Sequence, residues 1–133
     1  MLRLGRLPDY GLVIAATFIG VDDLLTTNDV VQRSGIPLAT VRKLLKSMVD
    51  SGLVESFRGK QGGYRLARPA AKISVADVIQ AIDGPICLTE CSNTDSADRC
   101  YLEARCPLAL KWCRLNNEIV EKLQSVSIQE VVA

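Results

Sequence analysis

Ser34-Gly35-Ile36-Pro37-Leu38-Ala39-Thr40-Val41-Arg42-Lys43 joins two short helical patterns through one glycine and one proline. Upstream, Thr26 or Thr27 is suited to cap a helix that stops at Gly35. Downstream, Pro37 suits the first position of a helix running to Ser51, with Gly52 as its C-terminal cap. Two short helices around a glycine-containing turn make a helix-turn-helix. In the second, Leu38, Val41, Leu45 and Met48 are expected to face inward. Ala39, Arg42, Lys43, Lys46 and Asp50 share the opposite face, so small residues near the helix start are followed by bases. That order fits a helix entering a DNA major groove.

The chain continues with Leu53-Val54-Glu55-Ser56-Phe57, then Arg58-Gly59-Lys60-Gln61-Gly62-Gly63, then Tyr64-Arg65-Leu66-Ala67. Two β-prone runs around a glycine-rich turn predict a hairpin. Its tip carries Arg58 and Lys60 among three glycines, and so can approach a phosphate backbone or a narrow minor groove. The glycines lack Walker spacing and open no helix, which argues against a nucleotide loop. Charge agrees. From Arg33 to Lys72, nine bases stand against Asp50 and Glu55, whereas from Ile73 to Ala104 six acids face Arg99 alone. The net charge of +1 hides this asymmetry.

Before the turn, Pro8 to Ile19 predicts a first helix with Leu12, Ala15, Ala16 and Ile19 as its apolar stripe. After the hairpin, Ser74 is expected to cap a helix over Val75 to Asp83, broken by Gly84-Pro85. From Pro107 a long helix repeats Leu108, Trp112, Leu115, Ile119 and Leu123, a stripe suited to a partner helix, with Asn116 and Asn117 assigned to its polar faces. The tail from Val126 would dock on the core or on the partner. The fold class expected is mainly α with a small β-hairpin wing. A winged helix-turn-helix unit spans 1–84, a cysteine-bearing loop 85–106, and a dimerisation helix with its tail 107–133.

Cys91, Cys100 and Cys106 bracket Ser92-Asn93-Thr94-Asp95-Ser96-Ala97-Asp98-Arg99, a stretch with no apolar side chain larger than alanine. Cysteines retained for bulk belong in a core, and this segment cannot form one. Thiolates on such a loop are what a soft metal or an iron–sulfur cluster needs. The five cysteines are an odd number, and no signal peptide or run of about 20 apolar residues is present to imply export or a membrane. Reduced thiols in a cytoplasmic protein are therefore expected. Structural zinc is the rival occupant, although the chain lacks the tight Cys-x-x-Cys pair usual in such sites. A thiol redox enzyme is disfavoured: there is no histidine, no tight cysteine pair and no catalytic set. No small-molecule substrate is expected.

The helix-turn-helix, the wing Arg58-Gly59-Lys60-Gln61-Gly62-Gly63-Tyr64, the stretch Ala81-Ile82-Asp83-Gly84-Pro85 and a three-cysteine loop before a long helix occur together here. In combination they resemble the Rrf-two type family of bacterial winged-helix regulators, across nearly the whole chain. Leu4 to Gly11 and Gly84 to Cys91 are most similar to its Suf-regulator branch. The resemblance implies a homodimer on a near-palindromic DNA operator, controlling and most simply repressing iron–sulfur assembly genes. It also implies a cluster, usually 2Fe-2S and in some members 4Fe-4S, held by Cys91, Cys100 and Cys106. DNA contacts would come from Leu38, Ala39, Thr40, Arg42, Lys43 and Lys46, and from Arg58, Gly59, Lys60 and Gln61. Arg58 matches the arginine that enters the minor groove.

Two departures limit what carries over. Pro37, Ala39 and Arg42 differ from the Isc regulators, so no operator sequence is implied. The histidine those regulators place three residues after the last cysteine is here Ala109. Asp9 matches the aspartate that reaches the partner's cluster in the nitric-oxide-sensing repressors, and an otherwise solvent-facing first-turn acid is the plainer role for it. Cys87 and Cys113 compete with it as fourth ligand, although their apolar neighbours also suit buried small side chains. Glu90 and Glu103 are nearby but weaker candidates.

Overall fold

A computed structural model describes residues 2–95, 97 and 99–132. Ser96 and Asp98 of the polar loop lie outside the described residues. The elements follow as α1 (Arg6–Thr17), α2 (Thr27–Ser34), α3 (Leu38–Asp50), β1 (Val54–Phe57), β2 (Gly63–Leu66), α4 (Val75–Asp83), α5 (Ala109–Ser125) and α6 (Ile128–Val132). Short 3-10 turns occupy Ala70–Lys72, Glu90–Ser92 and Glu103–Arg105. The strands pair antiparallel in the register Val54↔Leu66 to Phe57↔Gly63. Leu25 adds a single bridge to Tyr64 on the outer side, tying the hairpin to the segment before α2. This is the expected mainly helical architecture with a small β-hairpin.

Local chemistry accounts for the element ends. Thr26 caps α2 in a reciprocal box: its hydroxyl accepts from Asp29 N at 3.1 Å, and Asp29 accepts from Thr26 N at 2.9 Å. Those bonds, backbone first, hold the Asp29 carboxyl below its ordinary value. Ser74 and Asp77 form the same box at α4. Gly35 ends α2 at φ +74, the left-handed conformation that side chains with a Cβ rarely adopt.

The core is built from α1, α3, α4 and the hairpin base, around Ile14, Leu44, Leu45, Met48, Ile73 and Val78. Gly11 of α1 lets α4 close in, since a Cβ there would sit 3.0 Å from the Ile82 side chain. Ile128 of α6, 2% exposed, also joins this core. The tail therefore docks on its own chain: Ile128 N donates to Ile73 O at 2.9 Å and Val75 N to Val126 O at 2.9 Å.

Several expectations need correction. Helix α1 begins at Arg6 and ends at Thr17, and its buried stripe is Pro8, Gly11, Ile14 and Ala15, continued by the C-cap Phe18. Leu12, Ala16 and Ile19 are only half-buried, because α4 packs about one residue's rotation away. Pro37 is the N-cap of α3 and not its first helical residue, and α3 ends at Asp50 with Ser51 as C-cap. Leu38 lies at the exposed edge of α3, beyond the reach of the core, and Leu44 takes the fourth inward position. Helix α5 begins at Ala109 and not at Pro107. Asn116, assigned to a polar face, is the buried residue of that helix.

Candidate nucleic-acid interface and cysteine loop

The turn between α2 and α3 is fixed by Gly35 and by Ile36, whose side chain is buried and whose N–H donates to Ser34 Oγ at 3.2 Å. That anchors the start of α3. No side chain caps this helix and no acid stands in its first turn, so its first amide donors stay open toward an anion. Leu38, Ala39, Arg42, Lys43 and Lys46 are exposed and Thr40 is half-buried, giving one outward face.

At the hairpin tip Arg58, Gly59, Lys60 and Gln61 are all exposed. The tip is tight, and a Cβ on Gly62 would collide with the Phe57 carbonyl oxygen. Behind it the hairpin is stiffened by Arg65, whose guanidinium lies 4.8 Å from the Phe57 ring centroid and bonds Glu55 at 2.9 Å. Of the nine bases in this block, Lys46 faces Asp50 at 3.5 Å, Arg65 takes Glu55, and Arg68 takes Asp77 at 3.1 Å. Among the described residues the other six, including Arg42, Lys43, Arg58 and Lys60, form no ion pair. The positive charge on the outer face of α3 and the wing tip is thus largely uncompensated, which suits a polyanion.

The cysteine loop leaves α4 at Gly84 and crosses α5. Buried Asn116 holds the crossing: its Oδ1 accepts from Leu88 N at 2.8 Å and its Nδ2 donates to Ile86 O at 2.9 Å. Cys113, one turn earlier, points its thiol at the Cys91 carbonyl, 3.6 Å away. Cys91 Sγ is 3.1 Å from Thr89 Oγ1 within the small turn that Thr89 and Ser92 stabilise. Cys100 accepts from Glu103 N at 3.0 Å through its carbonyl, opening the turn that leads to Cys106. Cys87 bonds the Pro85 carbonyl at 3.6 Å, and burial, followed by the charge of Asp95, pushes its thiol up.

All five cysteines are half-buried and free of disulfides. Three free, reachable thiols on one loop, with no imidazole in the chain, form a donor set suited to thiophilic iron. They are not gathered in advance, because among the described residues no group of three Cys, His, Asp or Glu side chains is close enough to hold a metal ion. Asp9 is exposed in the first turn of α1, beside Arg3, Arg6 and Tyr10. Sequence reasoning missed Asn116. The available signal was its place within the apolar stripe, four residues after Trp112 and three before Ile119.

No helix among the described residues is long and apolar enough to cross a membrane. The profile of the Rrf2 family, described as iron-dependent transcriptional regulators, matches residues 9–133. The HTH-type transcriptional regulator IscR of Xenorhabdus nematophila is 36% identical over 104 residues, covering 78% of this chain and 62% of the relative. IscR of Photorhabdus laumondii is also 36% identical over 104 residues, with the same coverage. The chain thus spans about three fifths of the length of these relatives. Among solved structures, CymR, the global cysteine regulator of B. subtilis, superposes with a TM-score of 0.71 at 24% identity, covering 98% of this chain and 96% of that one. IscR of T. potens gives 0.67 at 23% identity, covering 98% and 86%. These two likenesses establish the winged-helix fold, and the relatives are named as regulators and not as enzymes. With the family profile covering all but the first eight residues, the chain belongs to the Rrf2 family.

Proposed function

We propose that this chain is an iron–sulfur-sensing transcriptional regulator that binds a near-palindromic DNA operator as a homodimer in the cytoplasm. The observation that carries the reading is the pairing of two features. One is the uncompensated basic face of α3 and the wing tip; the other is a loop of three free thiols latched to the helix that follows it.

In this reading Leu38, Ala39, Thr40, Arg42, Lys43 and Lys46 meet the major groove. Arg58, Gly59, Lys60 and Gln61 meet the backbone and the adjacent minor groove. The exposed apolar residues of the long-helix region, Leu108, Leu110 and Leu115, support a second copy packing there. Cys91, Cys100 and Cys106 are the proposed iron ligands. Asp9 of the partner subunit is the proposed fourth donor, on the basis of its match to the nitric-oxide-sensing branch and the absence of histidine. A bound 2Fe-2S cluster, or a 4Fe-4S one, supplies a centre whose charge and ligation respond to oxidation, nitric oxide and loss of iron. The chain's own part is to order the segment from Leu88 to Arg105 differently in the two states and so bias the two DNA-reading heads. Repression of iron–sulfur assembly genes with the cluster bound is the simplest sense.

Selection of bound duplexes from a random pool tests the DNA half of the proposal. The expected product is a sequence with approximate two-fold symmetry, its half-sites about one helical turn apart. An enriched site without that symmetry, or no enrichment above the starting pool, would contradict it.

A further inference from the structure

Asn116 is the single buried polar side chain among the described residues, at 4% exposure, and both ends of its amide are spent on the backbone of another segment. Burying an amide is costly unless both its donor and its acceptor are satisfied. Here the partners are Ile86 O and Leu88 N, the two residues flanking Cys87 and leading to Cys91. One turn back on the same helix, the Cys113 thiol rests 3.6 Å from the Cys91 carbonyl. Helix α5 therefore grips the start of the cysteine loop at two successive turns.

The other end of α5 is bonded to the DNA-reading unit. Val126 O, just past the helix, accepts from Val75 N, the first residue of α4, at 2.9 Å. Ser127 bridges Ser74, and Ile128 N donates to Ile73 O while its side chain fills the core. Helix α4 in turn packs on α1 and α3. A continuous mechanical route thus runs from the loop, through Asn116, along α5, into α4 and on to α3. Packed side chains, hydrogen bonds and rigid elements carry coupling between two sites when they have two discrete arrangements that both sites bias.

We infer that Asn116 is a positioning residue that latches the cysteine loop to α5, so that a change at the loop thiols is passed to the winged domain along that helix. The role assigned to the loop rests on the proposed function above, but the latch itself stands on the geometry of Ile86, Leu88 and Asn116.

The test uses the 133-residue chain, free of iron, with Cd2+ as a thiolate probe, in the wild type and in Asn116→Leu, which fills the volume without the two bonds. Three things are read: Cd2+ stoichiometry, amide hydrogen exchange of residues 86–91 and of α5, and the emission of Trp112, the sole tryptophan, one turn from Asn116. In the wild type, Cd2+ should change protection at Leu88 and in α5 together and shift the Trp112 emission. In Asn116→Leu, the Leu88 amide should exchange about tenfold faster or more from the outset. Cd2+ should still bind there at the same stoichiometry, with the α5 and Trp112 responses lost. An α5 response in Asn116→Leu equal to that of the wild type overturns the inference, as does a wild type that fails to bind Cd2+ or whose α5 stays silent. Should Asn116→Leu fail to fold, the wild type alone decides, because α5 changing while Leu88 does not also overturns it. A protein that passes this test yet never takes up iron would sink the cluster proposal and leave the latch standing.

Discussion

Replacing Arg58 with Ala removes a charge that no acid neutralises among the described residues, at the exposed tip of a hairpin stiffened from behind by Arg65, Phe57 and Glu55. Each phosphate contact contributes about 0.9 to the steepness of log affinity against log salt. A dimer loses two such contacts, so the slope should fall by roughly 1.8. Between about 50 and 200 mM salt, the wild type should then weaken roughly tenfold more than the variant does. At low salt, binding should weaken by a similar factor on every duplex whatever its sequence, as expected of a backbone contact. Because the electrostatic part is independent of sequence, fluorescence anisotropy with an arbitrary labelled duplex over a salt series suffices. Lys122→Ala, which removes one exposed charge from α5, is the matched control. A slope for Arg58→Ala no shallower than that of Lys122→Ala would refute the placement of the wing tip on the backbone.

Three other outcomes follow from particular residues. Cys100→Ala should abolish the visible absorbance of anaerobically purified protein while leaving its circular dichroism unchanged; retained absorbance would remove Cys100 from the ligand set. Ile128→Ala truncates a side chain 2% exposed in the core and should cost about 2–5 kcal/mol, read as a lowered Tm, against about 0.5 kcal/mol or less for exposed Val132→Ala. Equal costs would mean the tail is not docked. The Cys87 thiol is raised in the folded chain by burial and then by Asp95, so its stabilising preference for the neutral form holds below the unfolded thiol value and is lost as pH rises through the folded one. Its alkylation by iodoacetamide should accordingly set in at higher pH in native than in denatured protein, and the reverse order would contradict the burial described.

The helix-turn-helix and wing were legible because their signals are local. Glycine at Gly35, the threonine and serine caps at Thr26 and Ser74, and the glycine-rich tip each act within a few residues. The outward bases of α3 followed from helical spacing alone. What escaped depends on packing between distant segments. Leu38 and Leu44 are both leucines at plausible inward positions, and only the reach of the surrounding core separates the exposed one from the buried one. The α1 stripe shifted because Gly11 admits α4 closely, a fact about Ile82 and not about α1. Asn116 resembles its polar neighbours Asn117 and Glu118 until residues 86–88 are laid across it. The three loop cysteines could be proposed as donors from sequence, but no spacing rule says whether a loop gathers its thiols in advance, and among the described residues no such group is formed.

The decisive experiment is a titration of one anaerobic sample with a duplex recovered by selection, before and after its iron is removed with a chelator. A coloured, iron-containing protein whose duplex affinity changes several-fold or more on iron removal is the expected result. A colourless, iron-free preparation, or one whose grip on the duplex is the same in both states, would contradict an iron–sulfur switch and leave a winged-helix regulator governed by some other signal.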